Sequence, residues 1–432
     1  MPDIGLIVCD PGHFHAALVQ KEMYSGLAAE AHVYAPLGPD LADYLARIAR
    51  FNARAEQLTD WRLRVHAAPD FLDRMRREPP GGAVIFSGRN RRKIERIGAA
   101  LAAGLHVLAD KPIIIRREDL PALEQALKTA EQRGLLLYEI MTGRHDTMAA
   151  LLRELRADPD LFGETLAGSP NEPAVELKGV HHLLKRVAGV PNPRPAWYFD
   201  TAEQGEGLAD TGTHLVDRVH ETLFPDRALD HARDIRIDAA ERWPTVIGLA
   251  EFREITGETG WPEALTPWLR DGALHYYCNG RVCYAVRGIH VALDARWDWQ
   301  AAAGDDRHEA AYRGSRARLE LRQGAPEGYR QQLYIVPMAD IETALHRRIA
   351  ALQESYPGVA IERQDRAWRV VVPEELRPGH EAHFAALTRR FLERIAQQRP
   401  LSRREEANML AKYYVCTEAV ALSRTAPPSD GG

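Results

Sequence analysis

The chain has 432 residues, 45% of them hydrophobic and 27% charged, with a formal net charge of -5. That composition excludes disordered and fibrous classes and leaves room for two to three domains. Basic residues are scattered rather than clustered, so no electrostatic footprint marks a nucleic-acid or anionic-membrane partner.

Ile4 to Cys9 is an apolar run of buried-strand length, and Phe14 to Tyr24 reads as a helix. Ala31 to Ala35 reads as a second strand, Leu41 to Phe51 as a helix, Leu63 to His66 as a short strand, and a helix starts near Pro69. Ala83 to Phe86 and His106 to Ala109 are further strands on either side of a helix, Lys93 to Ala103, that Gly104 stops. Leu120 to Arg133 is a helix closed by Gly134, and Leu135 to Ile140 is the sixth strand. Strands alternating with helices at this pitch predict a Rossmann-type, doubly wound parallel sheet over residues 1–145.

The character then changes. After a helix from Met148 to Arg156, strands are predicted at 174–182, 233–239, 272–278, 281–287, 289–297, 307–313 and 316–322. This pattern predicts an α+β domain with a large, mainly antiparallel open sheet over residues 146–425, with a C-terminal helical extension from Ile341. A small strand pair is expected around 359–361 and 368–372, and residues 426–432 read as a disordered tail. Asn279-Gly280 is expected to be a hairpin turn, which would set Cys278 and Cys283 diagonally on one face as a reduced pair. Four cysteines, Cys9, Cys278, Cys283 and Cys416, are too few for a disulfide framework. With no run of about 18 apolar residues and no leader pattern at the N-terminus, a cytoplasmic protein is expected.

Two stretches carry chemistry. Asp110-Lys111-Pro112 follows the strand His106 to Ala109, and a lysine at the carboxyl end of a parallel strand sits on the edge where open α/β sheets bind ligands. The proline restricts the backbone of Lys111 and so aims its ammonium. The second stretch, Gly205 to Glu221, places Asp210, His214, Asp217 and Glu221 on one helical stripe and Leu215, Val219 and Leu223 opposite. A carboxylate and an imidazole four residues apart can hydrogen-bond, which orients the imidazole for proton transfer. His182 and Lys185, and the segment around Tyr198 and Asp200, supply rings and polar groups suited to a hydroxyl-rich ligand. Gly379-His380-Glu381-Ala382-His383 fails as a zinc-protease motif because its histidines are three apart, so no metal is assigned there.

In combination these motifs resemble the glucose-fructose oxidoreductase and inositol dehydrogenase family, Gfo/Idh/MocA, over roughly residues 4–325. Its Glu-Lys-Pro motif corresponds to Asp110-Lys111-Pro112, and its Asp-x-Gly-x-His-x-x-Asp helix start to Asp210 through Asp217. Ala83 to Asn90 and Ala102 to Leu108 match further. From about residue 330 the chain resembles a branch carrying an extended oxidoreductase C-terminal domain. The resemblance implies an NAD- or NADP-dependent oxidoreductase transferring a hydride at a secondary alcohol or ketone of a sugar, sugar derivative or cyclitol. Lys111, Asp210 and His214 would be catalytic, and Asp10, Gly12, His13, Phe14, Ser87, Asn90, Asp110 and Lys111 would bind the cofactor. His182, Lys185, Tyr198, Asp200 and Asp217 would meet the substrate. A homodimer or homotetramer through the open sheet face is expected.

The chain departs from the family at its first loop, Asp10-Pro11-Gly12-His13-Phe14-His15, where one glycine stands in place of a Gly-x-Gly-x-x-Gly pattern. A carboxylate at Asp10 would repel a pyrophosphate unless it turns away or caps the next helix. Tyr34-Ala35-Pro36 offers neither an acid for a ribose hydroxyl nor an arginine for a 2'-phosphate. Two alternatives therefore stand beside the oxidoreductase: transient oxidation by tightly bound NAD that enables elimination, epimerisation or glycoside cleavage, and a non-redox metal-dependent or binding protein using Asp10, His13 and His15.

Overall fold

The computed structural model describes residues 3–79, 81–187, 190–301 and 305–425, and the predicted tail at 426–432 lies outside them. The chain forms two compact units, one built from 1–142, 194–205 and 380–413, the other from 143–193, 206–379 and 414–432.

The first unit holds six parallel strands: β1 (Ile4–Cys9), β2 (Leu27–Ala35), β3 (Arg62–Ala67), β4 (Ala83–Phe86), β5 (His106–Asp110) and β6 (Leu137–Ile140). They are ordered β3-β2-β1-β4-β5-β6. The intervening helices are α1 (His15–Val19), α2 (Pro39–Ala53), α3 (Phe71–Met75), α4 (Lys93–Ala102) and α5 (Leu120–Gln132). This is the doubly wound parallel sheet that the alternating pattern predicts. Strand alternation sends Leu6 and Val8 into one core with Leu41, Tyr44 and Ile48 of α2, and Ile7 and Cys9 into another with Ile94 and Ile97 of α4 and Leu123 of α5.

Helix α1 is far shorter than the predicted Phe14 to Tyr24. Trp61 Nε1 donates to the Gln20 carbonyl at 2.6 Å, and the Tyr44 hydroxyl donates to the Gln20 side chain, so the chain is drawn out of the helix there.

The second unit begins with α6 (Thr147–Arg156), β7 (Val175–His182) and a ribbon of β8 (Arg186–Val187) and β9 (Val190–Pro191). After α7 (Thr201–Gln204), which belongs to the first unit, come α8 (Gly207–Asp210), α9 (Gly212–Leu223), α10 (His231–Asp234), β10 (Ile235–Ile247) and α11 (Leu249–Thr256). Strands β11 (Leu269–Arg270), β12 (Ala273–Val286), β13 (Ile289–Asp298), β14 (Arg307–Arg313), β15 (Ala317–Gln323) and β16 (Gln332–Pro337) follow, then α12 (Glu342–Leu352), β17 (Ala360–Gln364) and β18 (Ala367–Val371). Ten strands form one sheet, ordered β10-β12-β13-β7-β14-β15-β16-β18-β17 with β11 beside β12, and its pairings are antiparallel apart from β13 with β7.

The expected hairpin at Asn279-Gly280 does not form, and β12 runs straight through it. The Asn279 side chain accepts the Trp297 N–H at 2.7 Å and donates to Thr245 Oγ1 at 2.9 Å, so it is absorbed into the sheet. Gly280 serves a close approach instead, since a Cβ there would lie 2.6 Å from Leu208 Cγ of α8. Cys278 and Cys283 are therefore not diagonal partners across a turn. They lie on one strand, Cys278 buried and Cys283 half-buried, and none of the four cysteines is in a disulfide.

The C-terminal helices α13 (His380–Ala396) and α14 (Arg403–Thr425) also depart from the expected grouping, because residues 380–413 join the first unit rather than the sheet unit. Helix α13 lays Phe384, Leu387, Phe391 and Leu392 into the core beneath Leu6 and Val8, at helical spacing. Helix α14 starts with a capping box: Ser402 N–H donates to Glu405 at 2.8 Å and Glu405 N–H to Ser402 Oγ at 3.3 Å. Arg394 adds two bonds to the same carboxylate, at 2.6 and 2.9 Å. Burial pushes the Glu405 carboxyl up, but Arg394 and the Ser402 donors prevail and hold it down at about 2. Its stabilisation is thus complete above the ordinary glutamate range and lost as pH falls toward about 2. Glu405→Gln should cost about 1–2 kcal/mol at neutral pH, with the difference from the parent shrinking as urea denaturation is repeated at lower pH.

Candidate active site

At the carboxyl edge of the parallel sheet, the strand order reverses between β1 and β4, the position where open α/β sheets leave a ligand crevice. Asp10 leaves β1 with φ +51° and is buried. Its carboxylate neither caps α1, whose N-cap Phe14 has no side-chain hydrogen bond, nor meets the neighbouring histidines. It turns to Arg96 Nη1 at 2.6 Å and Arg89 Nη1 at 3.5 Å. Gly88 makes this possible, because a Cβ there would fall 2.0 Å from the Asp10 carbonyl oxygen. Gly12 is confined less tightly, by side chains: its Cβ would lie 3.1 Å from both Asp40 Oδ2 and Trp197 Cζ2. Asp40 accepts from Trp197 Nε1 at 3.0 Å and pairs with Arg89 at 2.9 Å. An acid does therefore approach this loop, from the first turn of α2 rather than from the end of β2.

Asp110 gathers the rest of the loop. His13 Nδ1 and His15 Nδ1 each donate to it at 3.0 Å, and Ser87 Oγ donates at 2.9 Å. Burial pushes the Asp110 carboxyl up, yet the two imidazoles reverse this and hold it well below the usual carboxylate range. Burial, helped by His15, pushes His13 down to about 4 against the pull of Asp110, so His13 is neutral at pH 7. The carboxylate beside the two histidines is thus Asp110, not the Asp10 of the metal alternative. Ligand-capable atoms of His13, His15 and Asp110 lie within 4.8 Å of one another, as do those of His32, His66 and Glu78 and those of His181, Asp306 and His308.

Lys111 follows at the end of β5 and is joined to Pro112 by a cis peptide. Its backbone is held from below by a residue that sequence reasoning passed over. Lys93, 2% exposed, donates to the carbonyls of Asp110 at 2.9 Å and Pro112 at 3.1 Å and to Asn90 Oδ1 at 2.5 Å. A lysine in the first turn of a helix stands at the wrong end of the helix dipole, and that was the available signal that it is engaged elsewhere. On the far side of the turn, Ile113 N–H donates to the Tyr413 hydroxyl at 2.7 Å, and Tyr413 and the buried Lys412 both donate to Glu139.

Asn90 and Ser87, expected at the cofactor, also make internal contacts. Asn90 Nδ2 donates to the Gln204 carbonyl at 2.7 Å. Tyr198 is buried under the Arg194 guanidinium at 4.6 Å, and Asp200 caps α7 by accepting from Ala202 N–H at 2.9 Å. Lys93→Met should leave two buried carbonyls and an amide oxygen without their donor. The expected cost is about 1–3 kcal/mol in chemical denaturation, against less than about 0.5 kcal/mol for an exposed control such as Lys128→Met.

In the second unit, Asp210 ends α8, and Thr211 leads into α9. Asp210 is buried and His214 half-buried. The predicted polar stripe is reshaped: Asp217 is buried and held by Arg144 at 2.6 and 2.9 Å, leaving His214, Arg218 and Glu221 as the partly open positions. Asp217 thus receives a bidentate guanidinium, which commits its two oxygens.

His182 and Lys185 converge on a residue the sequence did not single out, Asp306. His181 Nδ1 and His182 Nδ1 donate to its oxygens at 2.9 and 3.1 Å, and Lys185 Nζ donates at 2.6 Å. Burial pushes the Asp306 carboxyl up, but these partners hold it well below the usual range. The His181 ring lies 4.9 Å from both Trp297 and His308, and Trp297 Nε1 donates to Thr211 Oγ1 at 2.8 Å. One connected set of contacts therefore runs from the α8–α9 junction to Lys185.

The family described as "Putative oxidoreductase C terminal domain" matches residues 151–424. A crystal structure of "a putative oxidoreductase from Parabacteroides merdae" is similar over 98% of each chain, with 39% identity and a TM-score of 0.95. KijD10, a 3-ketoreductase from Actinomadura kijaniata solved with NADP and TDP-benzene, is similar in fold over 96% of each chain at 17% identity and a TM-score of 0.57. GenD2 from gentamicin A biosynthesis, solved with NAD, is similar in fold over 98% of this chain and 95% of that one, at 13% identity and a TM-score of 0.58. No match was found among curated proteins. With well over half of its length matched and a structural relative at 39% identity, the chain belongs to the family described as "Putative oxidoreductase C terminal domain".

Proposed function

We propose that the protein is an NAD(P)-dependent oxidoreductase of the Gfo/Idh/MocA type, acting at a secondary alcohol or ketone of a sugar, sugar derivative or cyclitol. The observation that carries this reading is Lys111 at the carboxyl end of β5, with the backbone on both sides held by buried donors and acceptors. The nucleotide complexes of KijD10 and GenD2, which share the fold, support the cofactor class.

The residues at the β1–β4 crevice fit a dinucleotide. Asp10, the obstacle to a pyrophosphate, has its charge answered by Arg96 and Arg89. Gly12 keeps the loop free of a side chain, and Asp40, paired with Arg89 beside it, offers the acid and the guanidinium absent from the end of β2. Gly12, His13, Phe14, Asp40 and Arg89 would hold the cofactor. Bound there, the nicotinamide would supply hydride transfer to or from a substrate carbon. In the first unit, Lys111 would donate a hydrogen bond to the reacting oxygen and offset the negative charge that develops on it. In the second unit, His214 would take the hydroxyl proton during oxidation and return it during reduction, with Asp210 orienting the ring or a neighbouring hydroxyl.

Titration with NADH and NADPH, followed by nicotinamide fluorescence, should give micromolar binding of at least one. Mass spectrometry of the supernatant from denatured protein should find no retained nucleotide; retained nicotinamide would favour transient redox instead. A stoichiometric metal with no nucleotide binding would overturn both. Lys111→Ala and His214→Ala should each lower turnover by about 10²-fold or more while nucleotide affinity stays nearly unchanged.

A further inference from the structure

The second unit's large sheet carries a row of polar side chains that the oxidoreductase reading does not itself require. Register aligns Ala295 of β13, Gly179 of β7 and His308 of β14 in one row, with Trp297 beside His181 in the next. Ala295 and Gly179 are small and buried, so the rings of neighbouring rows can lie over them. A Cβ at Gly179 would sit 3.3 Å from His308 Nδ1 and 3.7 Å from His181 Nε2, so the two imidazoles meet over this glycine. Since His181 donates its Nδ1–H to Asp306, its Nε2 is the atom left for a ligand.

Two acids and two cations surround this row. Lys185 pairs with Asp306 at 2.6 Å and Asp305 at 3.8 Å, which leaves Arg218 as the cation without an acid of its own. Helix α9 packs against β7 and β13, and from it the Arg218 charge bears on both His308 and the buried Tyr312 hydroxyl, two β14 residues on one face. Arg218 is half-buried, and among the described residues no acid pairs with it: Asp217 beside it is taken by Arg144, and Glu221, one turn on, lies 4.0 Å from that same arginine. Arg156 and Arg153 add their fields at Tyr312. A partly desolvated guanidinium without a counter-ion is poorly compensated in the free protein and is a ready partner for a bidentate anion.

His181, Asp306 and His308 also have the ligand types of a divalent-cation site. The surrounding charge opposes that use. Lys185 Nζ already occupies Asp306 Oδ2 at 2.6 Å, and Arg218 would repel a cation beside His308.

Resting on the oxidoreductase reading, we infer that the substrate is an acidic sugar, its carboxylate or phosphate bound by Arg218 with support from Lys185 and its hydroxyls by His181 and His308. Carboxylate and phosphate share the planar or near-planar pair of oxygens that a guanidinium engages. Neutral sugars lack that group and would leave Arg218 uncompensated.

Calorimetric titration of the full chain with D-glucuronate, D-glucose 6-phosphate and D-glucose, without nucleotide, tests this separately from cofactor binding. At least one acid should bind tenfold or more tightly than glucose, and which one identifies the anion. Arg218→Gln should bring that acid to within threefold of glucose, and Lys185→Met, at a half-exposed side chain, should weaken the acid more than it weakens glucose. Equal binding of acid and neutral sugar, no binding of either acid, or a preference that survives both substitutions overturns the proposal. Zinc chloride bound stoichiometrically and lost in His308→Asn would also overturn it, in favour of a cation.

Discussion

Much of the first unit's ligand edge depends on the cost of burying one carboxylate. Asp110 is 3% exposed, and an isolated buried charge is prohibitive, so the fold surrounds it with compensating donors. Two imidazoles and a hydroxyl come to its oxygens, while its own carbonyl takes the ammonium of Lys93. These bonds recruit the β1–α1 loop, the end of β4 and the start of α4 to the end of β5. Lys111 stands next to that hub, so the requirement for satisfying Asp110 also fixes the backbone from which Lys111 projects.

A second carboxylate, Asp306, repeats the logic in the other unit with two histidines and a lysine. In both places an aspartate holds adjacent imidazoles by Nδ1. Two buried acids thus fix histidine tautomers in two separate units. The proteins of similar fold solved with NADP or NAD, at 17% and 13% identity, share the architecture and no more.

Local patterns carried most of the fold. Strand-to-helix alternation over residues 4–140 is readable because each apolar run is short, continuous and bounded by turn residues, and the strand positions at Ala83–Phe86 and His106–Asp110 follow directly. The place of Asp110-Lys111-Pro112 at the end of β5 was legible for the same reason, since it is set by the strand just before it. Asn279-Gly280 misled because the dipeptide reports only local turn preference. Here the asparagine amide is consumed by neighbouring strands and the glycine by Leu208, both distant in sequence. Asp306 was invisible for a similar reason, since its partners lie 121 to 125 positions away. Asp217 was recognised as polar and helical, but no periodicity could reveal that Arg144 claims it.

The bond from Ile113 N–H to the Tyr413 hydroxyl spans 300 positions. The turn beside Lys111 therefore borrows a structural element from near the other end of the polypeptide. During synthesis all six parallel strands emerge long before α13 and α14, so the core beneath Leu6 and Val8 waits for Phe384 and Phe391, and the Glu139 carboxylate and the Ile113 amide wait for Lys412 and Tyr413. A chain clipped ahead of α14 would lack the partners of the turn beside Lys111. Assembly of that turn is thereby timed to the completion of the chain.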